Sequence, residues 1–188
     1  LPLSKSRRIS AGVIKRAKKI QLLLMDVDGT LTDGKVCIFA RMSDGDLGEL
    51  KIFDAHDGAG LTLAHIMGIK TGLITGRNSA ATTQRAKEMK MDYVYQGRAK
   101  KLEAYRECQK LSGVGDEGTA YIGDDLPDLA LFEHAGLAVA TANAVVELKR
   151  AAHYVTRADG GHGAAREVVE LILRSQSRWK EAIPKALA

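Results

Sequence analysis

Leu22-Leu23-Leu24-Met25-Asp26-Val27-Asp28-Gly29-Thr30 decides how the chain is read. Four apolar residues without alternation are what a strand buried on both faces of a parallel sheet requires, and the run stops at a carboxylate. Upstream, Ile9, Val13, Ala17 and Ile20 recur at about four-residue spacing and predict a short amphipathic helix. Downstream, strand-like segments 35–40 and 49–53 flank a polar stretch containing Asp44-Gly45-Asp46, which reads as a β-hairpin with a long loop. From Gly58 onward helix and strand patterns alternate. Helices are predicted near 58–67, 79–90, 99–111, 127–135, 144–151 and 163–176, and strands near 69–74, 93–95, 119–122, 137–140 and 153–156. That alternation predicts an α/β fold: a doubly wound, mainly parallel sheet with a small hairpin insertion.

A chain of 188 residues suits one domain with a substantial core. The expected division is a leader and short helix over 1–19, a core domain over 20–176 and a tail over 177–188, where no strong pattern is visible. No apolar stretch approaches the roughly 18–20 residues of a membrane span, so no membrane partner is expected. The first residues carry no apolar run of the signal-peptide kind, and export is not expected. Cys37 and Cys108 form no CxxC motif, which fits a reducing, cytoplasmic setting. The net charge of +5 owes much to Lys5, Arg7, Arg8, Lys15, Arg16, Lys18 and Lys19. No aromatic residues interleave with them as a stacking platform needs, so no nucleic-acid partner is expected. A solvated helix face or attraction of a small anion explains the excess.

Ligands of such folds bind beyond the carboxyl ends of the strands. The positions just after the apolar runs hold Asp26 and Asp28, then Thr75-Gly76-Arg77, then Lys100-Lys101, then Gly123-Asp124-Asp125 with Asp128. So many carboxylates together cannot all stay ionised at neutral pH without compensation. A hard divalent cation such as Mg²⁺ and the ammonium of Lys101 would supply it, with Thr75 donating a hydroxyl to phosphoryl oxygens. Asp26 would then attack phosphorus, and Asp28 would protonate the leaving oxygen and later activate water. Taken singly, Asp124-Asp125 reads equally as a helix cap and Lys101 as a surface lysine; their joint order favours phosphoryl transfer. An EF-hand from Asp26 would need Gly and Glu where Leu31 and Cys37 stand. A phosphoaspartate receiver domain would place its acidic pair first and its reactive Asp on a middle strand, and a catalytically idle assembly domain would not need the full set.

Asp26-Val27-Asp28-Gly29-Thr30, Thr75, Lys101 and Gly123-Asp124-Asp125 with Asp128 together resemble the four motifs of the haloacid dehalogenase superfamily of phosphatases. The resemblance implies a Rossmann-like core, with Mg²⁺ held by Asp26, Asp124 and the backbone carbonyl of Asp28, and with Asp125 and Asp128 supporting the lysine and the metal. Segments 29–74 and 76–100 are too short for a full cap domain. The chain therefore resembles the capless branch, whose sites are completed by neighbours in a homotetramer. Thr32-Asp33-Gly34, Phe53-Asp54-Ala55-His56-Asp57-Gly58, Tyr95-Gln96-Gly97 and Gly160-Gly161-His162-Gly163 bring it nearest the sugar-acid phosphatases of that branch. Those enzymes act on octulosonate 8-phosphate in lipopolysaccharide precursor synthesis, and the nonulosonate 9-phosphate enzymes are the alternative. Gly76, Arg77, Arg85, Asp33, His56 and His162 are the expected substrate contacts. A guanidinium at Arg77 suits a sugar-acid carboxylate or phosphate, although a structural ion pair is the other reading. His56 stands where these enzymes often have Arg, and His162 lies in a Gly-rich loop that otherwise simply starts the last helix.

Overall fold

The computed structural model describes residues 9–40 and 46–185; the leader 1–8, positions 41–45 of the hairpin loop and residues 186–188 lie outside them. Helix α1 (Ala11–Ala17) starts where the Ser10 hydroxyl accepts from the Val13 amide at 3.3 Å. The decisive apolar run is strand β1 (Leu22–Met25), buried throughout. It is followed by the hairpin β2 (Cys37–Ala40) and β3 (Leu47–Leu50), then α2 (Ala55–Ile66), β4 (Lys70–Ile74), α3 (Ala80–Glu88), β5 (Tyr93–Tyr95) and α4 (Lys101–Ser112). The last third holds β6 (Thr119–Gly123), α5 (Leu129–Phe132), β7 (Leu137–Ala140), α6 (Val146–Ala151), β8 (Tyr154–Val155), α7 (Ala164–Ser175) and α8 (Trp179–Lys185).

Six strands form one parallel sheet in the order β5-β4-β1-β6-β7-β8, as the alternating pattern predicts. The period of two sends neighbouring side chains to opposite faces. Leu23, Met25, Ile122 and Val139 join a core with α1, α2, α7 and α8, while Leu22, Leu24, Tyr121 and Ala138 join another with α4, α5 and α6. The chain winds outward from β1 through β4 and β5, then crosses to β6 and winds the other way. The carboxyl ends of β1, β4 and β6 therefore border the switch-point crevice. Among the described residues no helix is long and apolar enough to cross a membrane.

Three details differ from the sequence expectation. The second hairpin strand runs Leu47–Leu50 and not 49–53, and Lys51, just past it, pairs with Asp28. Helix α2 begins at Ala55 and not Gly58, because the Asp54 carboxylate accepts from the His56 amide at 2.6 Å and caps it. Residues 179–185, without a strong pattern, form α8. Trp179 lies under the guanidinium groups of Arg166 and Arg174, at 5.6 and 4.4 Å from its ring centre, and Ala182 is buried. Such docking depends on neighbours distant in sequence, so periodicity does not reveal it.

Helix α7 lacks its own capping side chain: its first flanking residue, Gly163, sits at φ +95°. Asp57 of α2 substitutes from across the core, accepting from the amides of Gly163 at 3.2 Å and Arg166 at 2.8 Å. Burial raises the Asp57 pKa, and the amide bonds oppose that rise. Asp57→Ala leaves those amides unmatched and is expected to lower stability by about 1–3 kcal/mol, measured by urea unfolding; an unchanged midpoint would contradict the cross-helix cap.

Candidate active site

The sheet delivers the site through backbone bonds. The Asp26 amide donates to Ile122 O at 3.0 Å, extending the β1–β6 ladder by one residue, and the Thr75 amide donates to Tyr95 O at 2.9 Å. Asp26, Thr75 and Asp124 thus follow directly on β1, β4 and β6, and Lys101 is the first residue of α4.

Lys101 is buried, and its Nζ lies 2.9 Å from Asp26 Oδ2 and 2.8 Å from Asp128 Oδ1. Tyr121 donates its hydroxyl to the same Asp128 oxygen at 2.8 Å, and the Asp124 amide donates to Asp128 Oδ2 at 3.1 Å. Both Asp128 oxygens are thereby committed to protein donors. Burial, and then the charge of Asp128, push the Asp26 pKa up to about 6 despite Lys101. Burial and the charges of Asp26 and Asp128 push Asp124 up to about 7. Burial works to lower the pKa of Lys101, yet Asp128 and Asp26 outweigh it and hold the ammonium above its ordinary value.

Carboxylate oxygens of Asp26, Asp124 and Asp128 lie within 4.8 Å of one another. Three carboxylates against one ammonium leave two negative charges, and Asp26 Oδ1 is buried with no hydrogen-bond partner. Asp124 has only a long bond from the Thr30 hydroxyl, at 3.4 Å. An orphaned oxygen, a second lightly used carboxylate and a charge deficit of two are what a hard divalent cation satisfies. Asp26 and Asp124 suit it as ligands; Asp128, with both oxygens engaged, serves Lys101.

The loop after β1 is packed against this cluster too closely for side chains. Gly29 has φ +84°, and a Cβ there would lie 1.9 Å from Asp124 Oδ2. Its carbonyl accepts from Asn143 Nδ2 at 3.1 Å, while Asn143 Oδ1 receives the Gly160 amide at 2.6 Å. A Cβ on Gly160 would fall 1.8 Å from Gly29 O, so two glycine-bearing loops meet backbone to backbone. Asn143 carried no signal in the sequence, because its role exists only where these loops touch.

Asp28 is not part of the carboxylate cluster. Its Oδ1 pairs with Lys51 Nζ, and its Oδ2 lies 3.6 Å from Arg77 Nε. Arg77 Nη2 also binds Glu49 Oε1 at 2.9 Å, and that oxygen is 3.6 Å from Lys51 Nζ. A hydrogen bond from Ser79, and the bond and charge of Arg77, lower the Glu49 pKa against its partial burial. Two anions and two cations close a ring at the site's rim, and Arg77 is in the ion pair that was its alternative reading. Lys51 and Glu49 were missed because hairpin residues carry no mark of what they meet across the fold.

The remaining expected contacts are placed variously. Thr75 is buried, its Oγ1 accepting from the Arg77 amide at 3.3 Å, and Gly76 is exposed beside it. Arg85 donates to Asp54 O and Glu88, both at 3.2 Å, and lies over the Phe53 ring. Asp33 pairs with Lys35 at 2.7 Å, His56 sits 3.4 Å from Asp54 and is largely exposed, and His162 Nδ1 is 3.0 Å from Gly160 O. Asp125 is exposed and accepts from the Leu126 amide at 2.8 Å, capping a short turn, so Asp128 alone of that pair meets Lys101.

A haloacid dehalogenase-like hydrolase family model matches residues 74–168. The chain is 40% identical over 175 residues to the 3-deoxy-D-manno-octulosonate 8-phosphate phosphatase of Escherichia coli K12, an alignment covering 93% of this chain and 90% of that protein. The crystal structure of the same enzyme from Yersinia pestis is 40% identical with a TM-score of 0.85, covering 90% of this chain and 89% of that one. The enzyme from Moraxella catarrhalis, in complex with magnesium ion, phosphate ion and KDO, is 39% identical with a TM-score of 0.86, covering 92% and 97%.

Because Asp26 and Asp124 hold protons up to about pH 6 and 7, protons and a cation compete for them as pH falls. Calorimetric titration of the metal-free chain with MgCl₂ is expected to show affinity on the order of 10–100-fold weaker at pH 5.5 than at pH 8, with protons released near pH 6.5. An affinity independent of pH across that window would mean these carboxylates are not the ligands.

Proposed function

The chain belongs to the haloacid dehalogenase-like hydrolase family, and on that premise we propose that it is a Mg²⁺-dependent phosphatase that hydrolyses 3-deoxy-D-manno-octulosonate 8-phosphate. The observation that carries the reading is the buried triad of Asp26, Lys101 and Asp128 beside Asp124, with Asp26 Oδ1 unpaired. A carboxylate can attack a phosphate dianion only where the charge between them is neutralised. Lys101 supplies part of that charge; Asp26 and Asp124, with the Asp28 carbonyl as the resemblance implies, would hold a Mg²⁺ ion that would supply the rest and polarise the phosphoryl oxygens.

Asp26 attacks phosphorus, and its new P–O bond forms as the ester P–O bond breaks. The departing sugar oxygen takes a proton from Asp28. Thr75, whose oxygen already accepts from the Arg77 amide, keeps its hydroxyl proton for a phosphoryl oxygen. Water then attacks the aspartyl phosphate while Asp28 takes its proton, and the P–O bond to Asp26 breaks to free phosphate. Arg77 stands where it can exchange its partners Glu49 and Asp28 for the carboxylate of a sugar acid. The two cysteines are unpaired, which supports a reducing, cytoplasmic setting.

We infer a homotetramer for the same enzyme, as the capless resemblance implies. The hairpin supports it: Ile38 and Leu47 are 59% and 73% exposed, with Phe39 and Leu50 also open. A two-stranded ribbon with apolar exposure of that kind needs a cover.

Phosphate release from octulosonate 8-phosphate is expected with Mg²⁺ and not after chelation, and Asp26→Asn should lower it more than about 1,000-fold. Full activity in that variant sinks the mechanism, and higher catalytic efficiency on a nonulosonate 9-phosphate moves the substrate assignment. Light scattering should give about four times 20.3 kDa, and Ile38→Lys with Leu47→Lys should yield smaller species with reduced activity; a parent that runs as a monomer contradicts the assembly.

A further inference from the structure

Lys51 has a side chain only 3% exposed although it belongs to the hairpin insertion. An ammonium taken out of water is costly unless carboxylates receive it, so a chance surface pairing does not describe it. Its two partners are both at the rim of the site: Asp28 Oδ1, and Glu49 Oε1 at 3.6 Å. The other cation of the ring differs. Arg77 is 44% exposed and stands 3.6 Å from Asp28 Oδ2, on the side that opens to solvent. One Asp28 oxygen is therefore held by a buried ammonium of the hairpin, and the other lies beside a guanidinium that is 44% exposed.

We propose that Lys51 is a positioning residue for the reaction: it holds Asp28 Oδ1 so that Oδ2 is the oxygen presented to the ester oxygen and then to water. This rests on the reading of Asp28 as the proton-handling carboxylate given above. Lys51 touches no reacting atom in that scheme and acts through Asp28. A carboxylate free to rotate still exchanges protons, but less often in the productive geometry, and misplacement of about 1 Å costs on the order of 100-fold.

The test separates the two chemical steps by leaving group. p-Nitrophenolate departs with little proton assistance, whereas a sugar alkoxide needs it, and both routes need Asp28 to activate water. Lys51→Met keeps the length and removes the charge, while Asp28 and Glu49 keep Arg77 and stay partly hydrated, so folding should survive. With Mg²⁺ and p-nitrophenyl phosphate, the variant should give a burst near one equivalent per chain. Its kcat should fall on the order of 100-fold while kcat/KM holds within about threefold. For octulosonate 8-phosphate, kcat/KM should fall on the order of 100-fold as well, and Lys51→Arg should recover about tenfold of the loss.

Parental turnover in Lys51→Met would overturn the proposal. So would a burst that shrinks in proportion to turnover, which marks lost folded sites and not slowed chemistry. If circular dichroism shows Lys51→Met unfolded, equal turnover in Lys51→Arg and Lys51→Gln overturns it instead. A parent enzyme active on p-nitrophenyl phosphate but inert on the sugar acid would refute the substrate assignment alone, leaving the Lys51 comparison intact.

Discussion

A single buried ammonium holds the site together. Lys101 lies between Asp26 and Asp128 with almost no access to water, and breaking such a pair by losing one partner costs about 3–5 kcal/mol. That constraint explains much around it. Asp128 must be fixed to receive the lysine, so the Tyr121 hydroxyl and the Asp124 amide take up its oxygens. Asp26 and Asp124 must come from adjacent strands, which the β1–β6 pairing secures. One lysine against three carboxylates leaves a deficit that no described side chain fills, and a bound cation, or protons as pH falls, makes it up.

The neighbourhood of the cluster is built from backbone where side chains would not fit. Gly29 bends under Asp124, and Gly160 presses on Gly29. Asn143 then ties the two loops, using its donor for one and its acceptor for the other. Asp57 anchors the start of α7 just beyond that contact. The glycine-rich segment before α7 is therefore more than a helix start: it is a wall of the site, held by a carboxylate from another helix.

This layering explains what the sequence discloses. Strand ends are legible because burial on both faces forces an apolar run and chemistry marks where it stops; Asp26, Thr75 and Asp124 were found so. Lys101 and Asp128 were legible once ordered with them. Asp125 and Asp128 were not separable, since both are acidic and only the turn Leu126–Asp128 directs one outward and the other to the core. Lys51, Glu49 and Asn143 were invisible, because each matters through a partner 23 or more residues away and has no periodic or motif signal. Helix α8 was missed likewise, since it docks through buried Ala182 and through Trp179 under Arg166 and Arg174, too few residues to mark an apolar stripe.

The hairpin joins the two scales. Its strand residues Ile38, Phe39 and Leu47 point apolar surface away from the domain, and Lys51, one residue past β3, points a charge into the site. A ribbon of two short strands has little stability of its own. Its inner end is tied by ion pairs to Asp28 and Arg77, and its outer surface exposes Ile38, Phe39 and Leu47. Whatever covers that surface also steadies the segment that carries Lys51 and Glu49. The same short hairpin therefore carries both the exposed apolar surface of Ile38, Phe39 and Leu47 and the ammonium that pairs with Asp28.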